Sequence, residues 1–304
     1  MRDFDLVIVG AGVAGLTAAL FAARYGLKVV VVDQLGVGGQ ISNAEKIENF
    51  PGFPQGIGGH ELGPLLHEQA QAAGAEFVLD TVDSLAIDGE QRIVQGAAEV
   101  LRARSVIISA GSALRSLGIP GEEKFLGKGV SHCASCDGPF FAGREVCVVG
   151  GGDSAVDEAL VLAEHAAHIT IFHRGKNLRT QRVLLDKVSA TGKIEIALET
   201  TVEEIIGEDA VTAVRLRDNR TARVQNISGV FVYIGLEPNT AFLQGVLKLD
   251  AAGHIEADIL LRTSLAGVFA AGDVRKNSVA QLAAVAGDGA TAAISAWRYL
   301  KARP

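Results

Sequence analysis

Residues 5–15 read D-L-V-I-V-G-A-G-V-A-G, and this stretch decides the fold. Asp5–Val9 is an apolar, largely β-branched run without alternation, the pattern of a strand covered on both faces. Gly10-Ala11-Gly12-Val13-Ala14-Gly15 follows, then apolar residues at helical spacing over Leu16–Tyr25 and a second strand over Lys28–Val32. Asp33 closes that strand. Strand, glycine turn, helix, strand and terminal acid make up the full dinucleotide fingerprint in its required setting. The glycines permit a tight turn and close approach of a pyrophosphate to the helix N-terminus, and the acid accepts from a ribose hydroxyl.

The same design recurs further along the chain. Arg144–Val149 reads as a strand, Gly150-Gly151-Gly152-Asp153-Ser154-Ala155 as a second turn, Val156–His165 as a helix and His168–Phe172 as another strand. The two copies align without a gap, Gly10 on Gly150, Gly12 on Gly152 and Gly15 on Ala155. In that register Asp33 falls on His173, which Arg174 follows. An acid accepts from a free 2′-hydroxyl and repels a 2′-phosphate, and arginine does the reverse. The first unit therefore suits FAD or NAD, and the second leans toward NADP, with Arg179 expected to help hold the phosphate.

Between the copies, Leu35–Gln40 and Ile47–Gly52 read as loops, in which Gln40 and Asn49 could hydrogen-bond a ligand. His60–Ala73 reads as a helix, and Glu76–Leu79, Arg92–Gln95 and Ser105–Ser109 as strands. Ala110-Gly111-Ser112 ends the first block, and Gly118–Phe125 looks like a crossover. Val230–Ile234 is a further strand. The tail holds a strand ending in Gly272-Asp273 and a helix from about Ala280 to Ala302, with a break expected at Gly287–Gly289. Asp273 could bind a flavin polyol or simply cap a helix.

Just before the second turn stands Cys133-Ala134-Ser135-Cys136-Asp137-Gly138. A C-x-x-C pair can close a small redox disulfide, and the adjacent Asp137 could pass a proton to a leaving thiolate. A structural zinc site would need four ligands, and the remaining cysteine, Cys147, lies in an apolar strand pattern with no second C-x-x-C anywhere. No metal site is expected.

Composition bounds the setting. The 304 residues are 48% hydrophobic and 21% charged, which is ample for two globular domains. The 36 glycines against seven prolines suit tight turns against ligands better than a flexible linker. A net charge of −7 argues against nucleic acid or an anionic membrane as the main partner. Three cysteines do not make a stapled secreted framework, so a reducing, cytoplasmic compartment is expected. Leu6–Ala23 is uncharged, yet its glycines and the flanking Asp3 and Asp5 read as strand, turn and helix and not as a signal or membrane segment.

With these residues in view, the chain resembles the low-molecular-weight bacterial thioredoxin reductases of the pyridine-nucleotide disulfide oxidoreductase superfamily, from Leu6 to about Ala293. The likeness rests on Gly10–Gly15, Gly38-Gly39-Gln40, Glu48–Gly52, Cys133–Gly138, Gly150–Ala159 and Gly267–Asp273. The C-x-x-C-D-G block before the second turn marks this group. Larger, glutathione-reductase-like enzymes carry the pair in the first domain, whereas residues 35–55 here hold no cysteine.

The resemblance implies an α/β fold of two Rossmann-like dinucleotide-binding domains. A split FAD-binding domain, residues 1–115 and 246–304, would surround an inserted NAD(P)H-binding domain, residues 116–245, that carries the redox pair. It implies FAD contacts from Gly10, Gly12, Ala14, Gly15, Asp33, Gly39, Gln40, Asn49, Gly111, Gly272, Asp273, Ala280 and Gln281. NAD(P)H contacts would come from Gly150, Gly152, Asp153, Ser154, Ala155, His173, Arg174 and Arg179. Hydride would pass to the flavin and electrons on to the Cys133–Cys136 disulfide, with Cys136 facing the flavin and Asp137 donating a proton. Cys133 would then attack a disulfide of thioredoxin or a thioredoxin-like protein, in a homodimeric enzyme whose inserted domain rotates between steps near Gly118 and Gly245.

Three positions depart from the family pattern. Gly175 replaces the second of two arginines, which leaves NADH possible beside NADPH; Ala280 replaces an arginine before Gln281; and His132 precedes the redox pair. Two other functions compete with the reductase. A flavin-dependent dithiol oxidase would typically lose the nicotinamide fingerprint, which is intact over Gly150–Ala159, and a non-enzymatic flavin redox sensor has no need of Asp137.

Overall fold

The computed structural model describes residues 1–302 apart from Glu45, Asn219 and Arg220. It divides into two compact units: Met1–Ala113 together with the chain from Glu237 onward, and Leu114–Leu236 between them.

The first unit opens with Arg2–Val9 (β1), Val13–Arg24 (α1), Val29–Asp33 (β2) and Gly59–Ala72 (α2). Glu76–Leu79 (β3), Val82–Asp88 (β4), Gln91–Gly96 (β5) and Val100–Ile108 (β6) follow, and Ser112–Leu114 (β7) leads out. In the second unit Val130–Ser131 (β8), Ala134–Asp137 (α3), Glu145–Gly150 (β9), Asp153–Leu162 (α4) and His168–Phe172 (β10) come first. Then come Arg182–Thr191 (α5), Ile194–Ala197 (β11), Thr201–Gly207 (β12), Val211–Arg217 (β13), Ala222–Asn226 (β14) and Gly229–Tyr233 (β15). Leu236–Pro238 (β16) pairs with β7, and the first unit is completed by Val268–Ala270 (β17) and Leu282–Lys301 (α6).

The first sheet has the order β3-β2-β1-β6-β5-β4, with β17 also on β6. Its strands β3, β2, β1, β6 and β17 are parallel, and β4 and β5 add an antiparallel margin. The continuous apolar reading of β1 is explained by helices and connecting chain on both faces: Leu6 and Ile8 lie in one buried cluster, Val7 and Val9 in another. Each such side chain contributes about 1.5–3 kcal/mol on burial. The second unit carries an all-parallel sheet, β11-β10-β9-β15-β8, and a separate antiparallel sheet β12-β13-β14. Two Rossmann-like α/β units on one chain is thus the observed class.

Several expectations shift. The chain re-enters the first unit at Glu237, not at 246, because Leu243 and Leu247 are buried in that unit's core. The helix expected to break at Gly287–Gly289 runs unbroken from Leu282 to Lys301. Gly289 is there for contact: a Cβ on it would stand 2.2 Å from the Ala14 carbonyl oxygen of α1. The turns are shorter than read, since α1 starts at Val13 and α4 at Asp153. Asp273 sits in a single 3-10 turn, Gly272–Val274, well before α6, so it is not the cap of that helix.

Candidate functional site

Three constellations stand where the sequence places chemistry, two glycine turns and one cysteine pair. The first turn follows β1. Gly10 has φ +104°, and a Cβ there would lie 2.3 Å from the Ser109 carbonyl oxygen. A Cβ at Gly15 would lie 1.8 Å from the Gly10 oxygen, so α1 can start this close to its strand only with glycine. Above the turn, Gly38 N–H donates to the Ala11 carbonyl at 2.9 Å, and Gly39 packs on Gly12. Asp33 ends β2 and accepts from the Ala11, Leu35 and Gly36 amides at 2.7, 2.8 and 2.9 Å. A carboxylate offers about four acceptor positions, so one remains for a ribose hydroxyl.

Loops distant in sequence close around the same strand ends. The Gln40 side-chain amide donates to the Ser112 carbonyl, and the Ser112 hydroxyl donates to the Asp273 carbonyl at 3.2 Å. Asn49 Nδ2 donates to Gln281 Oε1 at 3.2 Å. Asp273 Oδ1 accepts from Ser278, and the Gly272 N–H donates to Asp288 Oδ2 at 3.0 Å, where Arg275 also binds. Gly111 and Ala280 both have positive φ, +62° and +49°, and nothing lies within 4 Å of a Cβ at Gly111 or Gly12. Ala14 is buried beneath Gly272 and Gly289, so its side chain is a packing group. The C-terminal ends of parallel strands, an uncapped helix start at Gly12 and an acid with one acceptor position left fit a dinucleotide such as FAD.

The second turn follows β9. Gly150 is buried against the Tyr233 carbonyl and Ala155, and Gly152 opens α4 without a side-chain cap. Here the third small residue is alanine, and it is the first glycine that must yield: a Cβ at Gly150 would stand 2.7 Å from that of Ala155. Asp153 accepts from the Gln181 backbone and side chain, both at 2.8 Å. Burial would raise its pKa, but these bonds hold the carboxyl below its ordinary range. Ser154 is exposed at the start of α4. Arg179 N–H donates to the Gly151 carbonyl at 2.6 Å. Arg174, Lys176 and Arg179 are exposed, and among the described residues no ion pair engages them, which fits a phosphate ligand. The His173 ring lies between Gly151 and Gly175; a Cβ would meet it at 2.2 Å in the first case and 2.7 Å in the second. Gly175 is therefore a steric partner of His173, which a longer side chain would displace.

The third constellation lies in the same unit. Cys133 and Cys136 form a disulfide with a Cα–Cα distance of 5.3 Å. Cys133 precedes α3, and its Sγ accepts from the Cys136 N–H at 3.2 Å. Cys133 is half-buried and Cys136 exposed, with Asp137 half-buried next to it. The His132 Nδ1–H donates to the Val232 carbonyl at 3.1 Å, so this ring is tied to β15. Cys147 is fully buried in β9, and burial pushes its thiol far above the usual range, which suits a packing role. Among the described residues no group of three or more His, Cys, Asp or Glu could hold a metal ion, and no helix is long and apolar enough to cross a membrane.

Residues 4–290 match the family model described as pyridine nucleotide-disulphide oxidoreductase. A thioredoxin reductase of Mycolicibacterium smegmatis is 40% identical over 97% of this chain and 96% of its own. The chain belongs to the thioredoxin reductase family of pyridine nucleotide-disulphide oxidoreductases. A Treponema pallidum thioredoxin reductase is 39% identical over 98% of this chain and 97% of its own. The crystal structure of the Lactococcus lactis thioredoxin reductase superposes with a TM-score of 0.95 at 36% identity, covering 98% of this chain and 99% of that one. This member of the thioredoxin reductase family is an oxidoreductase, and the cofactors of the family are FAD and NADPH.

Sequence reasoning missed two side chains beside the redox pair. Ala134 N–H donates both to Glu158 Oε2 and to the Tyr233 hydroxyl, each at 3.1 Å. The only sequence signal was their place, one on the helix after the second turn and one at the end of a core strand.

Proposed function

We propose that the discontinuous unit holds FAD, the inserted unit holds NADPH, and the Cys133–Cys136 pair passes electrons to thioredoxin or a thioredoxin-like protein. The observation that carries this reading is a C-x-x-C disulfide with one exposed cysteine, built into the unit that also bears a nucleotide turn. Gly10, Gly12, Gly15, Asp33, Gly39, Gln40, Asn49, Gly111, Gly272, Asp273, Ala280 and Gln281 hold the flavin, with Ala14 beneath them. Gly150, Gly152, Asp153, Ser154, Ala155, His173, Arg174 and Arg179 hold the nicotinamide nucleotide.

When bound, the nucleotide supplies a hydride and the flavin relays two electrons to a disulfide. Cys136, the exposed cysteine of the two, receives the pair at its sulfur as the bond to Cys133 breaks. Asp137 supplies a proton to the Cys136 sulfur, Cys133 is released as the thiolate, and solvent supplies the second proton as the partner's thiols form. The Cys136 N–H then stabilises charge on Cys133, which keeps that sulfur a nucleophile. Cys133 attacks the partner's disulfide, expelling one partner sulfur as a thiol, and Cys136 displaces the other, so that the enzyme disulfide forms again and the partner leaves as a dithiol.

Arg174 and Arg179 favour the 2′-phosphate, and Gly175 removes one cation from that set. One charged hydrogen bond contributes about 1.5–3 kcal/mol, so NADPH is favoured over NADH by a margin roughly 10–100-fold smaller than with both arginines. Comparing kcat/KM for NADPH and NADH with thioredoxin as acceptor tests this; equal values, or none with either, contradict it. The reading also places a homodimer in the reducing cytoplasm, in keeping with three cysteines per chain.

A further inference from the structure

Three amides of the redox segment, those of Cys133, Ala134 and Cys136, have partners within the fold. Cys133 N–H donates to the Ser131 hydroxyl at 3.0 Å, and Cys136 N–H donates to Cys133 Sγ at 3.2 Å. The amide that follows Cys133, Ala134 N–H, is shared by Glu158 of α4 and Tyr233 of β15. Ala134 itself is fully buried, and Tyr233 is 7% exposed, so this bond is shielded from water. Burial, then the Glu158 charge and the hydrogen bond to it, raise the Tyr233 hydroxyl far above the usual tyrosine range. That hydroxyl stays protonated, donates to Glu158 and accepts from Ala134 at once. The Tyr233 carbonyl in turn seats against Gly150, where a Cβ would lie 2.4 Å from its oxygen. One residue thus touches the nucleotide turn with its backbone and the redox segment with its side chain.

We propose that Glu158 and Tyr233 are positioning residues for thiol–disulfide exchange, jointly accepting the Ala134 N–H so that the Cys136 N–H stays aimed at Cys133 Sγ. The inference rests on the disulfide-reductase reading above. Neither side chain touches a sulfur. With Ala134 released, the α3 turn can rotate, the Cys136 N–H loses its aim, and the Cys133 thiolate loses its stabilising donor. The device needs an acceptor at position 158 and not a charge, which separates it from an electrostatic effect of the carboxylate.

The test uses FAD-loaded enzyme reduced with dithiothreitol, freed of reductant and mixed rapidly with oxidised thioredoxin. Glu158→Ala is expected to slow oxidation of the enzyme dithiol about tenfold, and Glu158→Gln to restore it to within about twofold of the parent. Tyr233→Phe, which removes one of two acceptors, is expected to slow it about threefold, and it carries the test if Glu158→Ala does not fold. An unchanged rate in Glu158→Ala with only a lower Tm overturns the proposal. So does a Glu158→Gln enzyme as slow as Glu158→Ala. Failure of the parent enzyme to react with thioredoxin would instead strike the underlying reductase reading, so the two failures are distinct.

Discussion

At the scale of single residues, the chain divides its carboxylates between bonding its own backbone and serving chemistry. Asp33 is largely taken up by three amides, whereas among the described residues no donor hydrogen-bonds the side chain of Asp137, which stands next to the exposed Cys136. Proton transfer by a positioned acid typically contributes 10²–10⁴-fold. Asp137→Asn is therefore expected to lower kcat for thioredoxin reduction about 10²-fold while the rate of flavin bleaching by NADPH stays within about twofold; stopped-flow absorbance separates the two. Asp153 makes a pH prediction. Its carboxyl is held below the usual range by Gln181, so its contribution to stability is complete above the ordinary carboxylate pKa of about 3.9 and is lost as pH falls through the depressed value. Thermal melts of wild type and Asp153→Asn should differ most near neutral pH and converge in acid. A gap that widens on acidification would contradict this.

At the scale of elements, legibility depended on whether the packing partner lies nearby in sequence. Strand β1, helix α1 and strand β2 were readable because their pattern and their turn are contiguous. Gly287 and Gly289 were misread as a helix break because the reason for Gly289 is the Ala14 carbonyl on α1, near the other end of the chain. Strands β12–β14 gave no usable expectation, since in β13 buried Val211, Ala213, Val214 and Leu216 are interrupted by exposed Thr212, Arg215 and Arg217 without strict alternation or motif. The close contact of α6 with α1 yields a prediction. Gly289→Ala forces a methyl group into backbone, and overpacking of this kind costs about 1–3 kcal/mol, lowering Tm by several degrees in a unit of this size. Differential scanning calorimetry checks it, with Gly287→Ala as the control, because nothing lies within 4 Å of a Cβ there.

At the scale of the whole molecule, one dinucleotide design is used twice, with the redox pair in the second unit. The repeat was legible from the alignment of Gly10 with Gly150, as was the difference at Asp33 and His173. What it did not reveal was why the copies differ inside the turn: Gly15 abuts a carbonyl oxygen, whereas Ala155 has room for its methyl because Gly150 has none. Nor did it reveal that Gly175 makes space for His173, or that Glu158 and Tyr233 share an amide beside Cys133, since both depend on neighbours brought in by the sheet. In the proposed function electrons leave through Cys133 and Cys136. Cys136→Ser in the FAD-loaded enzyme tests it most directly, by following flavin absorbance and thioredoxin reduction after anaerobic addition of NADPH. The flavin is expected still to bleach while turnover of thioredoxin disulfide disappears; sustained turnover in Cys136→Ser would rule this route out.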